Sequence, residues 1–226
     1  MDFSIIIPVY NEEKTVKQVI EKVKKVQYPG KTEIIVIDDG STDNSSNILD
    51  SIKGITLIKN SNNRGKGYSL RRAFKRAKGE IIIIQDADLE YNPQEHLKLI
   101  KVIKKNKAEV VYGSRFINKK HVPRYKLFYI GNIMLSFLTR LLYAKNITDM
   151  ETCYKVFKRS ILKNLSLQSD GFGIEPEMTC KFIKKGFSIG EVPINYTSRS
   201  YNDGKKIKMS DGIKAIFVLF KYRFFD

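Results

Sequence analysis

Residues 81–84 are four consecutive isoleucines, and the chain leaves them through Gln85-Asp86-Ala87-Asp88-Leu89-Glu90. An unbroken apolar run of this length reads as a strand buried on both faces, the habit of parallel sheets. Two earlier runs behave alike: residues 3–9 give way to Tyr10-Asn11-Glu12, and residues 33–37 to Asp38-Asp39-Gly40. Between the runs apolar residues recur at helical spacing. Val16, Val19, Ile20, Val23 and Val26 form the first set, and Ile48, Leu49 and Ile52 form a second behind the candidate caps Ser41, Thr42 and Asp43. A strand over 54–58, a polar loop over 60–67 and a helix over 68–78 follow. Then come the strand 80–84, a helix from about Pro93 and a strand over 108–113. Strands alternating with helices predict an α/β fold with a doubly wound, mostly parallel sheet, whose ligand crevice lies beyond the carboxyl ends of the strands.

All three polar clusters fall at those ends. Carboxylates crowded at a strand end repel one another and lose solvation, so Asp86, Asp88 and Glu90 predict a divalent cation, with Mg²⁺ or Mn²⁺ suited to an all-oxygen set. An acidic turn facing solvent is the competing reading of those six residues taken alone. The formal charge of +17 favours an anionic partner, whether nucleic acid, sugar nucleotide or acidic lipid. Cys153 and Cys180 form no paired motif with each other or with His96 and His121, which argues against structural zinc. The chain enters a strand close to Met1, leaving no room for a signal peptide, and its lone thiols fit a reducing cytoplasm.

The second half changes character. Residues 125–143 are rich in Leu, Phe, Tyr and Ile, with Lys126 and Arg140 bracketing thirteen uncharged residues, too few for the ~20 that span a bilayer. Residues 210–225 place Ile213, Ile216, Phe217, Phe220 and Phe224 on one helical face, among Lys206, Lys208, Lys214, Lys221 and Arg223. Core packing is the expectation for the first helix by itself. The pair, with its positive charge, reads as interfacial helices on anionic lipid. With no transmembrane tail before Asp226, attachment is expected to be peripheral, at the cytoplasmic face of a membrane.

The ordered set Ile5-Ile6-Ile7-Pro8-Val9-Tyr10-Asn11-Glu12, Asp38-Asp39-Gly40-Ser41-Thr42-Asp43, Asn63-Arg64-Gly65-Lys66-Gly67 and Asp86-Ala87-Asp88 strongly resembles family 2 glycosyltransferases of GT-A fold. Gly113-Ser114-Arg115, the segment from Thr148 to Phe157 and Glu191-Val192-Pro193-Ile194-Asn195-Tyr196, then Arg199 and Gly204-Lys205-Lys206-Ile207, are similar to the polyprenyl-phosphate branch, that of the dolichol-phosphate mannosyltransferases. The likeness covers nearly the whole chain. It implies inverting transfer of one sugar from a UDP- or GDP-linked donor to a polyprenyl or dolichyl phosphate. It also implies a single catalytic domain, with a nucleotide-sugar half over 1–115 and an acceptor half over 116–226.

Residue by residue, the resemblance implies that Pro8, Tyr10, Glu12, Ile37 and Asp39 contact the nucleoside, although Pro8 and Ile37 also fit a purely structural role at strand ends. Asp86, Ala87, Asp88 and Glu90 match the metal motif, in which the ion neutralises charge on the departing nucleotide. Glu90 stands where many relatives carry Gln. Arg115 suits a phosphate oxygen, and Arg199 and Lys206 match a loop that closes over the diphosphate, with residues 198–205 composed like a lid. A phosphate acceptor is already ionised and needs no base, so Asp149 is read as positioning the acceptor or donor sugar, with general base as its minor role. Glu175 and Glu177 are weaker sugar-hydroxyl candidates, and Lys126, Arg124 and Arg140 lie where a lipid phosphate would arrive. Two other readings remain at this point. A family 2 enzyme acting on a sugar hydroxyl would need a true base, and a basic nucleic-acid-binding module would be indifferent to Mn²⁺ and nucleotide sugars.

Overall fold

The computed structural model describes residues 1–117, 125–200, 206 and 209–225. Its frame is a seven-stranded sheet of β1 (Phe3–Val9), β2 (Thr32–Asp38), β3 (Thr56–Lys59), β4 (Ile81–Ile84), β5 (Val110–Ser114), β6 (Lys155–Lys158) and β7 (Ile189–Pro193), in the order β3-β2-β1-β4-β6-β5-β7. β1 lies between β2 and β4, parallel to both, with Ile5 opposite Ile34 and Ile83. The isoleucines of β1 and β4 are almost wholly buried. Each fully buried Ile contributes roughly 1.5–3 kcal/mol of transfer free energy, which explains why these strands contain no alternation. Because β1, β2 and β4 run the same way, their carboxyl ends open on one edge, and the polar clusters that follow them are neighbours.

The helices are α1 (Val16–Lys24), α2 (Ser45–Ser51), α3 (Lys66–Arg76), α4 (His96–Lys104), α5 (Lys126–Tyr143), α6 (Ile174–Lys184) and α7 (Met209–Phe224). The expected elements of the first half are all present, with boundaries shifted by a few residues. Beyond Ser114 the sequence reading missed three. β6 inserts antiparallel between β4 and β5, and its first residue, Lys155, is fully buried, a placement that a lysine does not advertise. The edge strand β7 is only half-buried and begins Ile-Gly-Glu. In α6 every residue from Ile174 to Phe182 is buried, so it has no polar face to give it a period.

α5 was expected to pack into the core if taken alone and to lie at an interface if paired with α7; it buries Leu135, Ser136, Thr139 and Tyr143 and exposes Leu127, Ile130, Ile133, Met134, Phe137 and Leu141. Polar groups on the inner face explain the choice. Ser136 Oγ accepts from the Met150 N–H at 3.2 Å, and the Tyr143 hydroxyl donates to the Leu219 carbonyl at 2.8 Å. α7 packs against α5 and α6 with Ala215, Leu219 and Tyr222 buried, and the apolar face read from its sequence points outward. Ile213, Phe217 and Phe224 are 70%, 68% and 63% exposed. Among the described residues no helix is long and apolar enough to cross a membrane.

Candidate active site

A cavity of about 750 Å³ opens at the carboxyl edge of the sheet. Of the residues predicted for the site, Pro8, Tyr10, Glu12, Asp39, Asp86, Ala87, Asp88, Glu90, Arg115, Arg199 and Lys206 all line it. Ile37 and Asp149 do not. Ile37 is fully buried within β2, which leaves it the structural role, and Asp149 is fully buried behind Arg115.

The first loop is fastened from below. The Glu12 N–H donates to Ser45 Oγ at 2.8 Å. Thr15 Oγ1 donates to Glu12 Oε2 at 3.0 Å and to the Ala87 carbonyl at 2.7 Å, joining the loops after β1 and β4. Asp39 holds the third loop, accepting from Asn60 Nδ2 at 2.6 Å and from the Arg64 and Gly65 N–H groups at 3.1 and 2.7 Å. Gly65 has φ +97°, and a Cβ there would sit 2.5 Å from the Asp170 carbonyl oxygen, so no other residue type fits.

The floor is a chain of alternating charge. Lys66 Nζ bridges Asp86 Oδ1 at 2.8 Å and Glu175 Oε1 at 3.0 Å, and Glu175 Oε2 receives Lys155 Nζ at 2.5 Å. Glu175 is therefore consumed inside the protein. So is Glu177, which pairs with Lys181 and accepts the Gln168 and Ser169 N–H groups. Burial pushes the Asp86 carboxyl up, but Lys66, Cys153 and Arg199 together hold it below the ordinary carboxylate range. Lys66, quoted in the motif without a role, could have been found by asking which cation neutralises an acid at a buried strand end.

Leu89 adopts φ +62°, a left-handed conformation costly for a branched side chain, and the turn separates Glu90 from its two predecessors. Glu90 Oε2 accepts the Tyr196 hydroxyl and Oε1 the Arg199 N–H, each at 2.7 Å. The three acids consequently do not assemble into one ligand set. Among the described residues no three His, Cys, Asp or Glu side chains are placed to hold a metal ion. Glu90 instead anchors the late loop. Asp88 is the residue left short of a counterion: burial, then the charges of Asp86 and Glu90, push its carboxyl up to about 8. Arg199 approaches it only to 3.5 Å. An all-oxygen pair with surplus negative charge fits a hard divalent cation.

Arg199 spends its fork on Glu12, at 2.8 and 2.9 Å. Lys206 Nζ reaches Glu12 Oε1 at 2.6 Å, the Asn11 carbonyl at 3.2 Å and the Tyr10 carbonyl. The late loop thus closes on the first loop through one carboxylate. Of the predicted lid 198–205, residues 201–205 lie outside the described residues, as do Arg124, His121, Ile207 and Lys208.

Arg115 is held by Asp149. Its Nε and Nη2 meet Oδ2 and Oδ1 at 2.7 Å each, and its own N–H meets Oδ2 at 2.9 Å. Glu191 of β7 in turn accepts the Thr148 and Asp149 N–H groups. Both Asp149 oxygens are occupied, so Asp149 orients Arg115 rather than meeting a ligand. Another residue to which sequence reading gave no role is Glu151, which lines the cavity with a buried Oε1 lacking any hydrogen-bond partner.

The glycosyl transferase family 2 model matches residues 4–166. A UDP-N-acetylglucosamine–dolichyl-phosphate N-acetylglucosaminyltransferase of Methanococcus voltae is 31% identical, over 95% of this chain and 93% of that protein. A dolichol-phosphate mannosyltransferase of Pyrococcus furiosus is 28% identical, over 91% of this chain and 59% of that one. Among solved structures, glucosyl-3-phosphoglycerate synthase of Mycobacterium tuberculosis with Mn²⁺, UDP and phosphoglyceric acid superposes with a TM-score of 0.75 at 18% identity, covering 100% of this chain and 79% of that one. That likeness concerns the fold, which is GT-A. With the family match covering well over half its length, the chain is a glycosyltransferase and belongs to glycosyl transferase family 2.

Proposed function

We propose that this enzyme transfers one sugar, with inversion, from a nucleotide-diphosphate sugar to the phosphate of a polyprenyl or dolichyl lipid, working peripherally on the cytoplasmic face of a membrane. The observation that carries the reading is the continuity of one cavity. Its lining joins Glu12, Asp88 and Arg115 to Phe128, Leu135 and Met209 of α5 and α7. On the outside, those same two helices present their exposed apolar side chains. A polar nucleotide sugar and the phosphate end of a lipid can therefore share the cavity while the lipid tail leaves along α5 and α7. The two relatives named for dolichyl or dolichol phosphate support the acceptor class.

Residues 1–115 form the donor half and residues 116–226 the acceptor half. Asp88, backed by Asp86, would hold Mg²⁺ or Mn²⁺, which when bound neutralises charge on the leaving diphosphate. The Mn²⁺ and UDP of the M. tuberculosis structure support that choice of group. Arg115, fixed by Asp149, offers its guanidinium to a phosphate oxygen. Arg199 and Lys206 trade part of their hold on Glu12 for the diphosphate, excluding water as the loop closes. The excess positive charge serves these anionic ligands and the lipid surface rather than nucleic acid. Transfer to a sugar hydroxyl with Asp149 as its base is disfavoured, because Asp149 is engaged twice by Arg115.

The test is incubation with Mn²⁺, polyprenyl phosphate, a free saccharide acceptor and separately labelled UDP- and GDP-sugars. Label entering the lipid phase supports the reading. Label entering only a free saccharide acceptor sinks it.

A further inference from the structure

Glu151 sits in the turn before β6, between Asp149 and Cys153, and lines the cavity. Its Oε1 is shut from solvent and accepts no hydrogen bond. The cations whose charge acts on it, Lys155 and Arg115, are committed elsewhere. Lys155 Nζ is shared among the Met150 and Thr152 carbonyls and Glu175 Oε2, at 2.9, 2.5 and 2.5 Å, and Arg115 is locked to Asp149. Burial pushes the Glu151 carboxyl up to about 7, with Glu175 and Asp149 adding to the rise while Lys155 and Arg115 oppose it. A buried acceptor without a donor is costly and uncommon, and one beside a ligand cavity marks where a ligand brings the donor.

The chemistry of the donor can be narrowed. A phosphate brings negative charge and would be repelled by a carboxylate, and its counter-charges in this cavity are Arg115, Arg199 and Lys206. A hexose ring brings several hydroxyls, each able to donate. We infer that Glu151 accepts a hydrogen bond from a hydroxyl of the transferred sugar and is a specificity-determining residue of the donor site. The inference rests on the nucleotide-sugar reading above.

It is tested by calorimetric titration of the full chain with Mn²⁺ and UDP, GDP, UDP-glucose, UDP-N-acetylglucosamine and GDP-mannose, comparing wild type, Glu151→Gln and Glu151→Ala. For whichever nucleotide sugar the wild type binds, Glu151→Ala should weaken affinity ~10- to 100-fold, while affinity for the bare nucleotide diphosphate stays within about twofold. Glu151→Gln keeps an acceptor of nearly the same shape and should recover part of the loss. Equal weakening of sugar-bearing and bare nucleotide, or of neither, overturns the role. So does loss of kcat with donor binding intact, which would make Glu151 a base for a hydroxyl acceptor. If the wild type bound bare nucleotide but none of the sugars, the donor reading itself would fall and the inference with it.

Discussion

The cleft at the sheet edge and the outer face of α5 and α7 are built on opposite terms. In the cleft nearly every buried charge has a partner: Asp86 with Lys66, Asp149 with Arg115, and Glu12 with Arg199 and Lys206. On the helix pair large apolar side chains lie open among the described residues, with Leu141 and Phe217 69% and 68% exposed. On the function proposed above, a polar ligand would complete the cleft and an apolar phase the helix face. The difference separates chemistry from location, so each can be broken alone.

The largest effect is expected at Asp88. Asp88→Asn removes the charge that lacks a close counterion while keeping shape and, next to Arg199, a polar group. Initial rates of sugar transfer should fall by ~10³-fold, the scale of several kcal/mol of transition-state charge stabilisation. Partition onto vesicles should be unchanged. A variant that loses membrane binding along with turnover would show that the two regions are not separable.

The converse variant acts on the other region. Leu141→Asp with Phe217→Asp places two charges on the exposed face without touching a buried contact. Each large apolar side chain withdrawn from the interface forfeits ~1.5–3 kcal/mol, so sedimentation with anionic vesicles should weaken by at least about tenfold, the fold-change for 1.4 kcal/mol. Turnover of a short, water-soluble prenyl phosphate should persist. Unchanged sedimentation would assign that face to something other than lipid.

How much of this was legible depended on whether neighbours in sequence are neighbours in space. β1, β2 and β4 were readable because each is a continuous apolar run ended by polar residues, and their parallel order then places Glu12, Asp39, Asp86 and Asp88 together. What was not readable lies in pairings across long stretches of chain. Arg115 meets Asp149 over 34 positions, and Arg199 meets Glu12 over 187. No local pattern says that an acid suited to a base is already held by an arginine, or that Glu90 faces Tyr196. The choice between core packing and an outward face for α5 was illegible for another reason. Hydrophobic periodicity locates an apolar stripe but not the phase it meets, and here Ser136 and Tyr143 bond inward.

A smaller effect tests how the late loop is tied to the cleft. Glu90→Gln keeps an acceptor for one of the two donors, the Tyr196 hydroxyl and the Arg199 N–H, and exchanges a charged hydrogen bond for a neutral one. The difference of ~1 kcal/mol predicts a fall in kcat/KM of less than about tenfold, with metal dependence unaltered. A changed preference between Mg²⁺ and Mn²⁺ in this variant would return Glu90 to the metal site.

The last effect is on stability rather than turnover, concerns an acid that, unlike Asp88, has no cation within ion-pair distance among the described residues, and has a sign. The Glu151 carboxyl is raised from 4.5 to about 7 in the folded protein. The unfolded chain ionises it at the ordinary value, so the stability it contributes is fully present below pH ~4.5 and is lost as pH rises to ~7, after which the deficit is constant. Glu151→Gln cannot ionise and is spared that loss. Its melting temperature should match the wild type near pH 4 and exceed it by roughly 6–12 °C at pH 8, since a rise of this size corresponds to about 3 kcal/mol and each ~1 kcal/mol to about 2–4 °C for a chain of this size. Leu141→Asp, whose new carboxylate is exposed to water, should show no such crossover. If the Glu151→Gln difference were the same at pH 4 and pH 8, the carboxylate would already be ionised and paired within the fold. The cleft would then be as fully compensated as its other charges suggest, with no acceptor left over for a sugar.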